Sequence, residues 1–372
     1  MRLLIIILYY LFAIVSNKIL LFKYETRWKT YSIDIHFDKE NIHFYTLFNT
    51  FLNFSFLDGY FYFRTIFEEN IIKKLTIIFN KDQIPSYEYR TTLRLQNDTI
   101  SNYTFYISEH SPHSLKHVGI GVGYKFNDES YSLVHQLFKS NIIEKRQFAF
   151  GFENNCYYGK TYIGGIPDEE KDKYKIRGHC NVDDNHHTWG FTLHEIRFQD
   201  KIYLLEKYTY INNDIEYMIV SHQIFDILKE ILKEEISRAF CTIEETNLVR
   251  WISCKYLNEV FNDSIQINID NVVVAIALKK MFRRYNMINV WESLCVVIKE
   301  YNDNDIILGD NFLQLFNYTL FDYDNKKITF YSEQDIIKMN NMNQISYLIL
   351  IINSILGFSS VIMLIIINKV LL

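Results

Sequence analysis

The residue types most able to do chemistry occur in three short runs. Asp183-Asp184-Asn185-His186-His187 groups carboxylates with imidazoles, the donors that divalent cations take. Ser221-His222 puts a hydroxyl beside a base, as a hydrolytic triad requires. Gly119-Ile-Gly-Val-Gly-Tyr124 could turn backbone amides toward a phosphate. Each falls short on context. The Asp/His run stands alone ahead of Trp189 and reads as a solvated turn, so no metal is expected. Neighbours on a strand point to opposite faces, which works against a direct Ser221–His222 contact. The glycine run lacks the Lys-Ser/Thr continuation and βαβ setting of a nucleotide cradle. No cofactor is expected, and no Cys spacing matches a zinc knuckle or a Cys-x-x-Cys redox pair.

The elements that would position these residues are mainly β. Between Tyr31 and Phe330, short apolar runs alternate with polar turns, as in Tyr31–Phe37, Leu75–Phe79 and Ile265–Ile269, with the period of two that strands show. Ser132–Phe138 and Ile224–Ile236 instead carry apolar residues at three- and four-residue spacing and read as amphipathic helices. With 49% hydrophobic residues in 372, the chain can bury a large core. No low-complexity linker divides the body, which favours two lobes sharing a sheet over tethered domains. A net charge of −5 without a basic stripe argues against nucleic acid as a partner.

The two ends point to membranes. Met1-Arg2, the apolar run Leu3–Val15 and Ser16 have the form of a secretory signal peptide over residues 1–17. Residues 345–367 are uncharged and as a helix would extend about 34 Å at 1.5 Å per residue, enough to cross a bilayer core, after a juxtamembrane linker at 336–344. The expectation is a single-pass protein of the secretory pathway with its body lumenal or extracellular. A removed glycolipid-anchor signal, attached among Asn340–Asn343, is the alternative for the tail. Asn53, Asn97, Asn102, Asn262 and Asn317 stand in Asn-x-Ser/Thr sequons that such a location would open to glycosylation.

The order of motifs resembles the pepsin-like aspartic proteases. Trp251-Ile-Ser-Cys254, the alternation Ile265–Ile269, Cys295, Ile306-Ile-Leu-Gly-Asp310 and Leu320–Phe330 resemble the family's second lobe in order and spacing. In the first half, Tyr103–Glu109, the glycine run before Ser132-Leu-Val, and Tyr162-Ile-Gly-Gly-Ile166 keep the register. His187–Asp200 resembles the entry to the second lobe. The resemblance implies a bilobal acid-protease fold, with lobes at 28–187 and 188–335, and a Cys254–Cys295 disulfide. Cys156 and Cys180 flank the Gly-Gly hairpin and form a possible second pair, which leaves Cys241 over.

The resemblance also implies two Asp-Thr-Gly motifs, and the chain has neither. Such proteases need two carboxylates that share a proton, one serving as base toward water and the other as acid toward the scissile carbonyl. In register, the first motif falls on Leu47-Phe48-Asn49-Thr50-Phe51, with Asn49 in the place of Asp and Phe51 in the place of Gly. The second is expected between the apolar pair Ile219-Val220 and the helix near Ile224, where Ser221-His222-Gln223 stands. Either Ser221 replaces the aspartate or the turn is shortened. The flap position after Leu75–Ile78 holds Phe79, an aromatic without the hydroxyl. The expectation is therefore a non-catalytic homologue whose cleft takes an extended peptide or protein segment. Two alternatives stay open: an active endopeptidase using displaced carboxylates such as Asp58 or Asp226, and a purely structural surface glycoprotein.

Overall fold

The computed structural model describes residues 19–332 with breaks, the longest at 59–70, 109–118 and 255–263. Met1–Glu333 form one compact unit, and Gln334–Leu372, a second unit, lies outside the described residues. The signal peptide, linker and membrane helix expected at 1–17, 336–344 and 345–367 therefore also lie outside. Among the described residues no helix is long and apolar enough to cross a membrane.

The body is built from strands, as its alternation dictates. Along Ser264–Ile269, for example, Ile265, Ile267 and Ile269 are buried while Gln266 and Asn268 are partly exposed. The first half folds around a seven-stranded sheet and the second around a ten-stranded one. A six-stranded sheet draws on both. It runs Leu20–Glu25, Tyr158–Ile163, Gln147–Phe152, Tyr318–Asp322, Lys327–Ser332, Lys175–Asn181, so that a hairpin from the end of the body sits between strands of the first half.

The core follows from that interleaving. Phe148 stacks on Phe321 across the shared pair at 4.5 Å, and Trp189 meets both rings edge-on. The Trp189 indole and the Tyr323 hydroxyl each donate to the Val122 carbonyl at 2.8 Å. Buried aromatics are thus satisfied at their polar tips. Gly151 is required here because a Cβ would come within 2.3 Å of the Tyr318 ring. Gly164 and Gly165, at φ 99° and 117°, end the strand Tyr158–Ile163 in a conformation that side chains disfavour.

The predicted helices form. Leu133–Lys139 is capped by the Ser132 hydroxyl, which accepts from the His135 N–H. His222–Ile231 buries Ile224, Phe225, Ile227 and Leu228, and the chain bends at Leu232 into a short helix, Lys233–Ser237.

The disulfide differs from expectation. Cys254 bonds Cys241, not Cys295. The reason is register: Cys241 and Cys254 stand directly opposite on the antiparallel strands Cys241–Glu245 and Val249–Cys254, with Cα atoms 4.0 Å apart. On the other side of Val249–Cys254, Cys254 faces Glu292, three positions short of Cys295. Cys295 instead pairs through its backbone with Met218. Cys180 is a free buried thiol, so the possible Cys156–Cys180 bridge is absent; Cys156 itself lies outside the described residues. Burial pushes the Cys180 thiol well up.

Candidate functional site

Each half brings three strands together in the same pattern. In the first half, Leu47–Asn49 lies parallel to Gly119–Gly121 with Asn49 opposite Gly121, and Phe56–Asp58 lies antiparallel on the other side with Phe56 opposite Gly119. In the second, Lys201–Ile211 lies parallel to Asp305–Leu308 with Ile211 opposite Leu308, and Met218–Ile219 lies antiparallel with Ile219 opposite Ile307. Both middle strands lead to a glycine, the first ending at Gly121 and the second followed directly by Gly309. Continuing the second register by one residue sets Asn212 level with Gly309, and the Asn212 N–H donates to the Leu308 carbonyl at 3.0 Å. The two glycines are therefore matched by two asparagines, Asn49 and Asn212.

The turns that follow these asparagines are stitched to each other. The Thr50 N–H donates to Asn213 Oδ1 at 2.9 Å, and the Asn213 N–H donates to Thr50 Oγ1 at 3.1 Å. The single hydroxyl proton of Thr50 has two acceptors at 3.1 Å, the Ile211 carbonyl and Asn213 Oδ1. Thr50 is fully buried, and Asn212 and Asn213 nearly so. Polar groups withdrawn from water in this way must bond each other, so the lattice fixes both turns in one geometry.

This arrangement corrects the reading of the second turn. Its partner to Thr50 is Asn213, and Ser221 lies eight residues further on. The Ser221 side chain caps the helix His222–Ile231, accepting from the Ile224 N–H at 3.4 Å, and His222 and Gln223 form that helix's first turn. An apolar pair precedes a polar residue at both Tyr210-Ile211-Asn212 and Ile219-Val220-Ser221. Local pattern does not separate the two; the parallel pairing of Tyr208–Ile211 with Asp305–Leu308 does, Ile219 meeting the same strand antiparallel. The available signal was chemical, because Asn at position 212 repeats the Asn at position 49.

Phe51, Asn53, Asn97, Asp214 and Asn262 lie outside the described residues. Phe79 ends the strand Ile71–Phe79, opposite Asp82 of the hairpin partner Asp82–Leu95. Asp58 ends its strand opposite Ser108. Asp226 is on the exposed face of its helix. Asp310 starts the helix Asp310–Leu313 and takes a hydrogen bond from the Gln314 amide at 2.6 Å. Asn102 is exposed and Asn317 half-buried. In the Asp/His run, Asp184 accepts from Tyr124 and from Lys326, and Asp183 accepts from the Asn185 N–H, an ordinary turn closure. His187 lies outside the described residues.

A sequence model described as eukaryotic aspartyl protease matches residues 68–332. The chain belongs to that family. The matched stretch includes the turn at Asn212–Asn213 and begins after Thr50. No curated protein matches this aspartyl protease family member in sequence. Among solved structures it is similar to the aspartic proteinase from Irpex lacteus, at a TM-score of 0.64 and 12% identity over 86% of this chain and 98% of that one. Identity that low speaks to the fold alone: mainly β, with few helices, and pepsin-like.

Proposed function

We propose that this family member is a pepsin-like homologue without catalytic aspartates, a non-catalytic protein of the secretory pathway that binds an extended peptide or protein segment between its lobes. In this reading Asn49 and Asn212 occupy the places of the two aspartates, Thr50 and Asn213 follow them, and the C-terminal apolar segment holds the body at a membrane. One observation carries it: the reciprocal Thr50–Asn213 bonds, flanked on both strands by an amide instead of a carboxylic acid. A carboxamide neither takes a proton from water nor gives one up near neutral or mildly acidic pH, whereas the family's chemistry rests on two carboxyls sharing a proton. Loss of general acid–base partners removes roughly 10²–10⁴-fold in rate for each such transfer. An amide does keep both a donor and an acceptor, the groups that pair with a peptide main chain.

The test is to incubate the purified full-length chain with a diverse peptide library from pH 3 to 7. Peptide retention on the immobilised chain without any cleavage is the expected result. Turnover that disappears in a D58N, D214N or D226N variant would overturn the reading in favour of displaced carboxylates.

A further inference from the structure

Among the described residues, the strand Asp98–Ser108 is paired along most of one edge and covered over only part of the other. On one side Ser86–Leu95 pairs with it from Asp98 to Ile100 and from Tyr103 to Ser108, with a bulge at Ser101–Asn102, while on the other side Phe56–Asp58 covers only Tyr106–Ser108. The next position is completed by a side chain: the Gln136 amide accepts from the Thr104 N–H at 2.8 Å and donates to the Thr104 carbonyl at 3.0 Å, as a neighbouring strand would. Beyond Thr104 toward the hairpin tip, no strand among the described residues covers this edge. An open edge invites pairing with another chain unless something blocks it.

Asn102 stands at that place. It is exposed beside exposed Ser101, its backbone turns through the left-handed region at φ 61°, and it heads the sequon Asn102-Tyr103-Thr104. The sequon at Asn317 is its opposite. Asn317 is half-buried, its N–H donates to the Tyr331 carbonyl and its own carbonyl accepts from the Phe152 N–H, both at 3.0 Å, inside the six-stranded sheet. A bulky, hydrated glycan must end on the surface of the folded chain, which Asn102 allows and Asn317 does not.

We propose that Asn102 carries an N-linked oligosaccharide that shields the open edge of Asp98–Ser108, and that Asn317 remains unmodified. The inference rests on the reading that the body is lumenal. The donor is a lipid-linked oligosaccharide: its anomeric carbon leaves the lipid pyrophosphate and bonds Asn102 Nδ2, whose proton goes to the departing phosphate. No oxidant or reductant is involved. The same chemistry would consume any other reachable sequon, so each must be read separately.

The experiment expresses the full chain in eukaryotic cells and removes N-glycans enzymatically in heavy-oxygen water, which converts each glycosylated Asn to labelled Asp. Mass spectrometry is expected to find near-complete label at Asn102 and none at Asn317. An N102D variant, which tolerates the left-handed backbone while removing the acceptor, is expected to lose one glycan and to self-associate in sedimentation. Label at Asn317, or its absence at Asn102, overturns the inference, and an N102D chain that sediments like the parent overturns the shielding role. Protease protection in microsomes tells the two failures apart: an unprotected body overturns both readings, and a protected but unlabelled Asn102 overturns this one alone.

Discussion

Thr50 concentrates the residue-scale energetics. Its hydroxyl serves the Asn213 N–H and the Ile211 carbonyl at once, and the residue is fully buried. Thr50→Val keeps shape and removes both bonds, leaving buried groups unpaired, so urea unfolding is expected to show a loss of about 2–4 kcal/mol. The proposed equivalence of Asn49 and Asn212 has its own signature. An N49D/N212D double variant places two carboxylates where like charges oppose ionisation, which raises one pKa in the folded state. A carboxyl raised in this way costs stability once the pH passes its unfolded value. The double variant should therefore lose stability between pH 4 and 7 relative to the sum of the singles, by about 1.4 kcal/mol for each tenfold weakening of the acid. Additive singles would mean the two positions do not face one another.

At the scale of elements, legibility in the sequence tracked the range of the interaction that decided the outcome. Ile265–Ile269 and Ile224–Ile231 were readable because burial period and capping act over a few residues. The Cys241–Cys254 bridge was not, because which cysteines meet depends on the register of Cys241–Glu245 against Val249–Cys254, which no short pattern states. Peptide mapping without reduction is expected to recover Cys241 joined to Cys254 and Cys295 apart from both. With a separation of 13 residues, a C241S/C254S variant should lose about 2–3 kcal/mol, while C295S leaves the bridge intact. The second candidate turn escaped for the same reason. Asn212 is marked by its pairing with a strand nearly a hundred residues later, not by its neighbours. The expectation at Asn49 rests on the residue order around it, which keeps the family's spacing.

The body is tied together by contacts that cross its halves, and some of them titrate. Lys326 holds the Asp184 carboxyl below the usual range, with partial burial opposing and Tyr124 adding to it. Burial pushes Glu170 up, but hydrogen bonds from Tyr318 and Lys173, with Lys160 nearby, outweigh it and leave that carboxyl low as well. A carboxyl depressed in the folded state contributes stability that is complete above its unfolded pKa, about 4, and is lost as the pH falls through the folded value. Lowering the pH below about 4 should therefore reduce the stability of the parent, and an E170Q/D184N chain should show a flatter dependence there, measured by urea unfolding followed by circular dichroism. Calorimetry is expected to show one transition for the body, since the six-stranded sheet cannot be divided between halves.

That sheet also sets an order of events during synthesis. Gln147–Phe152 can pair early with Tyr158–Ile163, but its second neighbour, Tyr318–Asp322, leaves the ribosome only more than 160 residues later. At roughly 5–20 residues per second this leaves Phe148 and Phe150 uncovered for on the order of ten seconds or more. A nascent chain in that condition is a client for chaperones, and its first half completes its packing only after translation of the body has ended.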